Sequence, residues 1–379
     1  MTERPTRCFL LARQGPDDPE ETIAEHLDEL ALLTTACGMH PAGCLKLRRP
    51  VIDSRTFFGK GQIEIVADAA RRLETTVLIF DDELSGSQVR NLEKTTGMTC
   101  LDRTGLILTI FEHRAKSREA KAQVELARFE YELPRLKGAW THLERQGGGV
   151  GLRGGPGETQ IEVDRRMTRL RISQLKKELK HLEQVRETQR QGRAPGIPRI
   201  SLVGYTNAGK TSLLKALTGE GEPQNMLFAT LDTTTRKAWL GHDPETHEPR
   251  HVLVSDTVGF IRKLPHQLVA AFRSTLGEVR TADALLVVAD AASPELEDQL
   301  KVVGATLRDI GCEDQPRLLI LNQVDRLPRP RRLDLKRQHP GAGMTCALTK
   351  EGVDDVRSWL MGLIPGPPQP REPEPWELA

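Results

Sequence analysis

Gly204-Tyr205-Thr206-Asn207-Ala208-Gly209-Lys210-Thr211 fits the pattern G-x-x-x-x-G-K-[ST] and decides the fold. It follows the apolar run Ile200 to Val203, which reads as a buried strand, and precedes a segment that reads as a helix. A glycine-rich turn between a strand and a helix N-terminus is a phosphate-binding device. Its glycines let backbone N–H groups curl around an anion that the helix dipole also favours. Lys210 brings a point charge for the β and γ phosphates, and the Thr211 hydroxyl is a ligand for magnesium. These flanks argue against a chance glycine-rich turn.

Asp256-Thr257-Val258-Gly259 follows the apolar run Val252 to Val254, so a carboxylate falls at the carboxyl end of a strand, beside the phosphates. Asp256 can hold magnesium through water while the Gly259 N–H reaches a γ-phosphate. A lone Asp-x-x-Gly is an ordinary turn, and its order after the phosphate loop is what makes it specific. Asn322-Gln323-Val324-Asp325 ends a further apolar run, Leu318 to Leu321, and resembles the Asn-Lys-x-Asp base-reading motif of the GTPase superfamily. A carboxylate at Asp325 accepts from guanine N1–H and its 2-amino group; adenine has no such pair of donors. Asn322 is expected to brace this loop against the phosphate loop. Gln323 stands where the superfamily lysine lies along base and ribose, which bears on affinity more than on base choice. Thr345-Cys346-Ala347-Leu348 lies where the superfamily has its Ser-Ala-x segment, so Cys346, Ala347 and Leu348 are expected beside the guanine oxygen.

With Ala284 to Ala289, these apolar strands alternate with helical patterns and predict an α/β doubly wound sheet of the P-loop type. The chain has 379 residues, more than one typical domain needs. Residues 1–113 alternate again, with a helix over Glu20 to Thr35 and a short strand at Val77 to Phe80, and read as a small α/β domain. Residues 114–196 read as a long antiparallel helical hairpin. Its first helix lies within Arg114 to Glu144 and its second within Ile161 to Gln189, where Ile172, Leu175, Leu179 and Leu182 form one stripe. Gly147 to Gly157 is too rich in glycine to persist as helix or strand, and reads as the loop at the tip. Gly192 to Pro198 is a linker, residues 197–364 are the nucleotide domain, and 365–379 are a proline-rich tail.

A charged fraction of 28%, with no apolar run of membrane-spanning length and no signal-peptide pattern, predicts a cytoplasmic protein without integral membrane association; a peripheral contact stays open. Six cysteines without a Cys-x-x-Cys pair argue against a zinc ribbon or a disulfide framework. The net charge of +1 excludes a globally basic nucleic-acid binder, so any such binding comes from patches.

Across nearly the whole chain the sequence resembles the HflX-type GTPases of the Obg-related group. Phe228-Ala229-Thr230-Leu231-Asp232 looks like their switch I segment, with Thr233 where a proline is usual. The resemblance makes Thr230 the second hydroxyl ligand of magnesium; Thr233, Thr234 and Thr235 remain neighbours that sequence alone leaves open. Phe58-Gly59-Lys60-Gly61, Phe80 to Ser85, Asp102 to Leu108 and Glu112 to Ala115 resemble the family's N-terminal domain. Gly155-Pro156-Gly157-Glu158-Thr159-Gln160-Ile161-Glu162 resembles its glycine-rich signature.

What the resemblance implies is a GTP-hydrolysing, magnesium-dependent switch, expected as a monomer, with the large ribosomal subunit and its rRNA, not DNA, as partner. Stalled or idle ribosomes would be split near the peptidyl-transferase centre. Arg145, Gly148, Gly149, Gly151, Arg153 and Gly155 at the tip are then the expected ribosome contacts. Arg165, Arg166, Arg169, Arg171, Lys176, Lys177 and Lys180 add charge on the second helix, which without the resemblance would read as a solvated face paired to nearby glutamates.

Phe260 stands where Ras-like switches carry a water-positioning glutamine. A phenyl ring cannot orient water, so hydrolysis is expected to be slow alone and stimulated by the ribosome, with no catalytic residue assigned. Two other readings are a ribosome- or RNA-binding module without splitting activity, and an ATP-dependent rRNA-remodelling enzyme with a second nucleotide on the N-terminal domain. Against the latter, no second phosphate loop is visible and Phe58-Gly59-Lys60-Gly61 reads as a turn.

Overall fold

The computed structural model describes residues 5–136, 156–191, 197–220, 227–228, 230–243, 247–265, 268 and 273–363. Arg145, Gly148, Gly149, Gly151, Arg153 and Gly155 of the expected tip, Ala229, linker residues 192–196 and the 365–379 tail lie outside the described residues. The chain divides into two compact units, Met1–Gln184 with Leu264–Phe272, and Val185–Lys263 with Arg273–Ala379.

In the first unit, β1 (Arg7–Gln14), β2 (His40–Arg48), β3 (Val77–Phe80) and β4 (Thr99–Asp102) form a parallel sheet in the order β2-β1-β3-β4. Cys8 to Ala12 and Val77 to Phe80 are buried without alternation, as strands covered on both faces must be. The crossovers are α1 (Glu20–Ala36), α2 (Lys60–Arg72) and α3 (Gly86–Thr96). Gly59 caps α2 and Lys60 is its first residue, while Phe57, Phe58 and Phe80 pack edge-on or stacked in the core, with ring centroids 5.1, 6.2 and 6.1 Å apart. Ser85 caps α3, its hydroxyl accepting from the Gln88 N–H at 3.2 Å.

Asp102, buried at the end of β4, organises the next three elements. It caps α4 (Arg103–Arg114) by accepting from Gly105 N–H at 2.8 Å and holds the loop before α3 by accepting from Leu84 N–H at 3.0 Å. Tyr131 O–H and the Arg135 guanidinium, both on α5 (Arg118–Leu136), also donate to it. Arg135 in turn lies 3.4 Å from the centre of the Tyr131 ring.

The second hairpin helix, α6, runs Pro156–Gln191 and packs antiparallel to α5, with Leu175 buried against Ala122 and Leu126. Arg171 meets Glu125 with two bonds of 2.8 Å, Arg118 meets Glu178 at 2.8 Å and Lys176 meets Glu130 at 2.8 Å. Two of the basic residues read above as an RNA-facing charge are thus paired inside the hairpin. The helix also starts earlier than the glycine content suggests. Pro156 takes the first turn, where its missing N–H costs nothing, and Gly157 is helical.

In the second unit, β5 (Arg199–Gly204), β6 (Thr234–His242), β7 (Pro249–Asp256), β8 (Ala284–Asp290), β9 (Arg317–Asn322) and β10 (Gly343–Met344) form a sheet ordered β10-β9-β8-β5-β7-β6. All pairs are parallel except β6 with β7. The helices are α7 (Lys210–Thr218), α8 (Arg273–Arg280), α9 (Leu296–Asp309), α10 (Arg329–Gln338) and α11 (Val353–Leu363). β5 and β8 bury their central residues throughout, β7 and β9 most of theirs, and the parallel pairing puts the loops that follow them on one edge.

Asp102→Ala removes four acceptor contacts at once and leaves Arg135 without its carboxylate. Urea denaturation of the variant should show the first unit destabilised by about 3 kcal/mol, and Tyr131→Phe by about 1 kcal/mol. A loss below about 1 kcal/mol for Asp102→Ala would show that Asp102 is not the organising group.

Candidate functional site: a phosphate loop with a base-reading edge

The loop after β5 opens into α7 through Gly209, the residue before the first helical turn. Gly209 has φ +91°, and a Cβ there would lie 2.2 Å from Asn322 Nδ2, so both backbone shape and space demand glycine. The Lys210 side chain is buried and folds back over the loop, its ammonium donating to Gly204 C=O at 3.2 Å and Tyr205 C=O at 2.9 Å. Gly259 approaches equally closely from β7: a Cβ there would meet Thr206 Cα at 2.8 Å and Lys210 Nζ at 2.9 Å.

Thr211, Thr230 and Asp256 converge on one point. Asp256 Oδ2 accepts from Thr211 Oγ1 at 2.6 Å and from Thr230 Oγ1 at 2.9 Å, and the two hydroxyls are 2.9 Å apart. Asp256 Oδ1 is buried with no well-formed hydrogen bond. Two hydroxyls and a carboxylate with an unused buried oxygen form a hard-oxygen donor set that fits a small divalent cation. Of the neighbouring threonines, Thr235 is engaged elsewhere, 2.8 Å from Ser255 Oγ across β6 and β7.

Burial and charge act in opposite directions here. Desolvation pulls the Lys210 ammonium from its ordinary 10.5 down to about 8, with Asp256 opposing that shift. Desolvation likewise raises the Asp256 carboxyl above the usual range, against Lys210 and the two threonine hydroxyls. Each group therefore favours a ligand of opposite charge, a polyanion for Lys210 and a cation for Asp256.

Asn322, at the end of β9, is the brace. Its Nδ2 donates to Ala208 C=O at 3.0 Å, and its Oδ1 accepts from Thr345 Oγ1 at 3.2 Å and Ala347 N–H at 3.1 Å. Gln323 follows with φ +65° and donates from Nε2 to Asn207 C=O at 3.3 Å. Asp325 is the middle residue of a short 3-10 turn, Val324–Arg326, and lines the cavity. Phe260, 1% exposed, is held against the phosphate loop by two backbone bonds: its N–H donates to Gly204 C=O, and its C=O accepts from Thr206 N–H.

These groups enclose a cavity of about 620 Å³. Thr206, Asn207, Gly209, Lys210, Thr211, Phe228, Thr230, Thr257, Gly259, Asn322, Gln323, Asp325, Cys346, Ala347 and Leu348, all singled out from the sequence, line it. Gly204, Tyr205, Ala208, Leu231, Asp232, Asp256, Val258 and Val324 do not line it. Ser212 and Arg326 line it too, and sequence reading missed both. Ser212 follows the motif by one residue. Arg326 carried one legible signal, its place one turn after Gln323 in a motif loop.

A strand, a phosphate loop, an acidic strand end and an Asn-x-x-Asp edge around one cavity define a P-loop GTPase domain. Residues 24–112, 114–193 and 199–323 match the family models "GTP-binding GTPase N-terminal", "GTP-binding GTPase Middle Region" and "50S ribosome-binding GTPase". The chain is 45% identical over 323 residues to a GTPase HflX of Caldanaerobacter subterraneus subsp. tengcongensis, covering 85% of this chain and 73% of that protein. It is 44% identical over 367 residues to that of Magnetococcus marinus (96% and 83% covered), and 43% identical over 305 residues to that of Escherichia coli K12 (80% and 70% covered). Among solved structures, SsGBP in complex with GDP aligns with a TM-score of 0.52 at 27% identity, over 95% of this chain and 98% of that one. The chain belongs to the HflX family of GTPases. Among the described residues, no helix is long and apolar enough to cross a membrane.

Because its folded value is depressed, Lys210 binds fewer protons in the folded than in the unfolded chain between pH 8 and 10.5; the cost of burying its charge is relieved as pH rises through that window. Carbon-13 NMR of labelled lysines should show one side chain titrating near pH 8, absent in Lys210→Met and moved upward by inorganic triphosphate. If every lysine titrates near 10.5, the ammonium is not desolvated.

Proposed function

We propose that this chain is a guanine-nucleotide switch that acts on the large ribosomal subunit and splits stalled or idle ribosomes. The observation that carries the nucleotide half is the convergence of Lys210, Thr211, Thr230 and Asp325 on one cavity at the carboxyl edge of the sheet, with the buried Asp256 bonded to the two threonines. The phosphate loop N–H groups and Lys210 hold the phosphates, with Gly259 reaching the terminal one. Asp325 accepts from the two guanine donors, and the loop from Cys346 to Leu348 closes on the base oxygen. Thr211 and Thr230 are the protein ligands for magnesium, with Asp256 acting through water. When bound, the metal neutralises charge on the β and γ phosphates.

Thr230 and Gly259 sit in separate loops that a γ-phosphate and its metal would tie to one ligand, which supports an order-to-disorder switch on hydrolysis. Phe260 offers no group to polarise water. A slow reaction alone, accelerated on the ribosome, follows from that. The ribosomal half rests on the family and on the match of residues 199–323 to a model described as a 50S ribosome-binding GTPase. The hairpin, residues 114–196, with Arg145 to Gly155 at its tip, is the part we assign to rRNA contact, and the cytoplasm is where it would act.

Two measurements test this. Asp325→Asn exchanges an acceptor for a donor at the base edge. It should weaken GTP binding by about a hundredfold, roughly 3 kcal/mol, and favour xanthine nucleotides, whose 2-oxygen accepts; unchanged GTP affinity would remove Asp325 from the base site. Sedimentation and light scattering with intact ribosomes should show splitting with GTP, and with a non-hydrolysable analogue a single round that leaves the protein on the large subunit. Co-sedimentation without loss of intact ribosomes would leave a binding module, and indifference to the nucleotide would sink the switch.

A further inference from the structure

Lys210 and Arg326 are the two cationic residues lining the cavity among the described residues. Lys210 belongs to the phosphate end. Arg326 stands one residue beyond Asp325, at the other end, and neither the motif pattern nor the mechanism above uses it. An arginine on a solvated turn would normally move among many rotamers. This one is held: Nη1 donates to Gln323 Oε1 at 2.8 Å and to Asp290 Oδ2 at 3.2 Å, although the side chain is 56% exposed.

Both supports are themselves fixed. Asp290 closes β8, and its other oxygen accepts from Ala292 N–H at 2.8 Å. Gln323 uses its amide N–H on Asn207 C=O of the phosphate loop. Nη1 is thus anchored by a chain of contacts running from the strand edge to the phosphate loop. A planar, weakly hydrated cation anchored at one nitrogen is suited to the face of an electron-rich aromatic ring.

Resting on the guanine-nucleotide reading, we propose that Arg326 is a further nucleotide-binding residue, packing its guanidinium on the face of the bound base while Asp325 reads the base's edge. Because it touches the ring face, Arg326 strengthens binding without choosing between purines that differ at the edge. Asp290 and Gln323 are positioning residues that act through it.

The test is calorimetric titration of the full chain with GDP and with IDP, whose base lacks the 2-amino group that Asp325 accepts from. Arg326→Ala should weaken both by the same factor, about fivefold, leaving the GDP-to-IDP ratio unchanged. Arg326→Lys keeps the charge but not the plane, and should lose most of the same affinity. Asp290→Asn preserves the Ala292 bond and should weaken GDP about two- to threefold, with the Asp290→Asn, Arg326→Ala double variant no weaker than Arg326→Ala alone. Melting temperatures establish that each variant is folded. Wild-type affinity in Arg326→Ala, a ratio that narrows, or losses that multiply in the double variant would each overturn the proposal. A wild-type chain that binds neither nucleotide overturns the guanine-nucleotide reading itself, which the variants do not address.

Discussion

One buried amide holds the nucleotide domain's working edge together. Asn322, 2% exposed, joins the loops after β5, β9 and β10 with one donated and two accepted bonds. Parallel strands end on a common edge without hydrogen-bonding the loops that leave them, so the loops need a shared partner. A side chain carrying both a donor and an acceptor can serve loops of opposite need; an aspartate in its place would have nothing to give Ala208 C=O. Gly209 follows from the same constraint, since the amide occupies the space where a Cβ would stand.

Around that brace the site carries charges that the free protein solvates poorly. Lys210 satisfies its ammonium on two backbone carbonyls, and Asp256 leaves one buried oxygen unpaired. Buried groups of this kind lower the stability of the free state, and ligands of opposite charge recover the loss. Phosphates would answer Lys210 and a divalent cation would answer Asp256. Desolvation drives both shifts, lowering Lys210 and raising Asp256.

Where the chemistry of a motif is local, the sequence was legible. Ile200 to Val203, Val252 to Val254, Ala284 to Ala289 and Leu318 to Leu321 all lie within parallel strands, because a strand buried on both faces reads as a continuous apolar run. β6 gave no such signal: Thr234–His242 is an antiparallel edge strand with Arg236, Lys237 and Trp239 exposed, and its apolar content is low. The bracing role of Asn322 was legible from motif resemblance. Arg326 was legible only by its place after the motif, because its contact with Asp290 spans 36 residues of chain. Asp102 was hidden for the same reason, its partners being Tyr131 and Arg135, 29 and 33 residues on. Periodicity reports which face is apolar; it is silent about which distant polar groups meet.

That silence matters most for the hairpin. Composition sets a boundary near residue 113, where an α/β pattern gives way to helix-rich sequence, yet the Asp102 contacts cross it. α5 packs against α4 and is held near its end by Asp102, Leu84 C=O and the backbone at Gly86, whose missing Cβ lets Arg135 approach. Along its described length α5 is therefore a wall of the first domain and not a free lever. α6 rides on it through a narrow seam of Ala122, Leu126 and Leu175 with half-exposed ion pairs on either side. Exposed pairs of that kind contribute little each, about 0–1 kcal/mol. The firm attachment belongs to α5 and the weaker one to α6, so a strain reaching the hairpin from outside would shift α6 along the seam before it disturbed the Asp102 network.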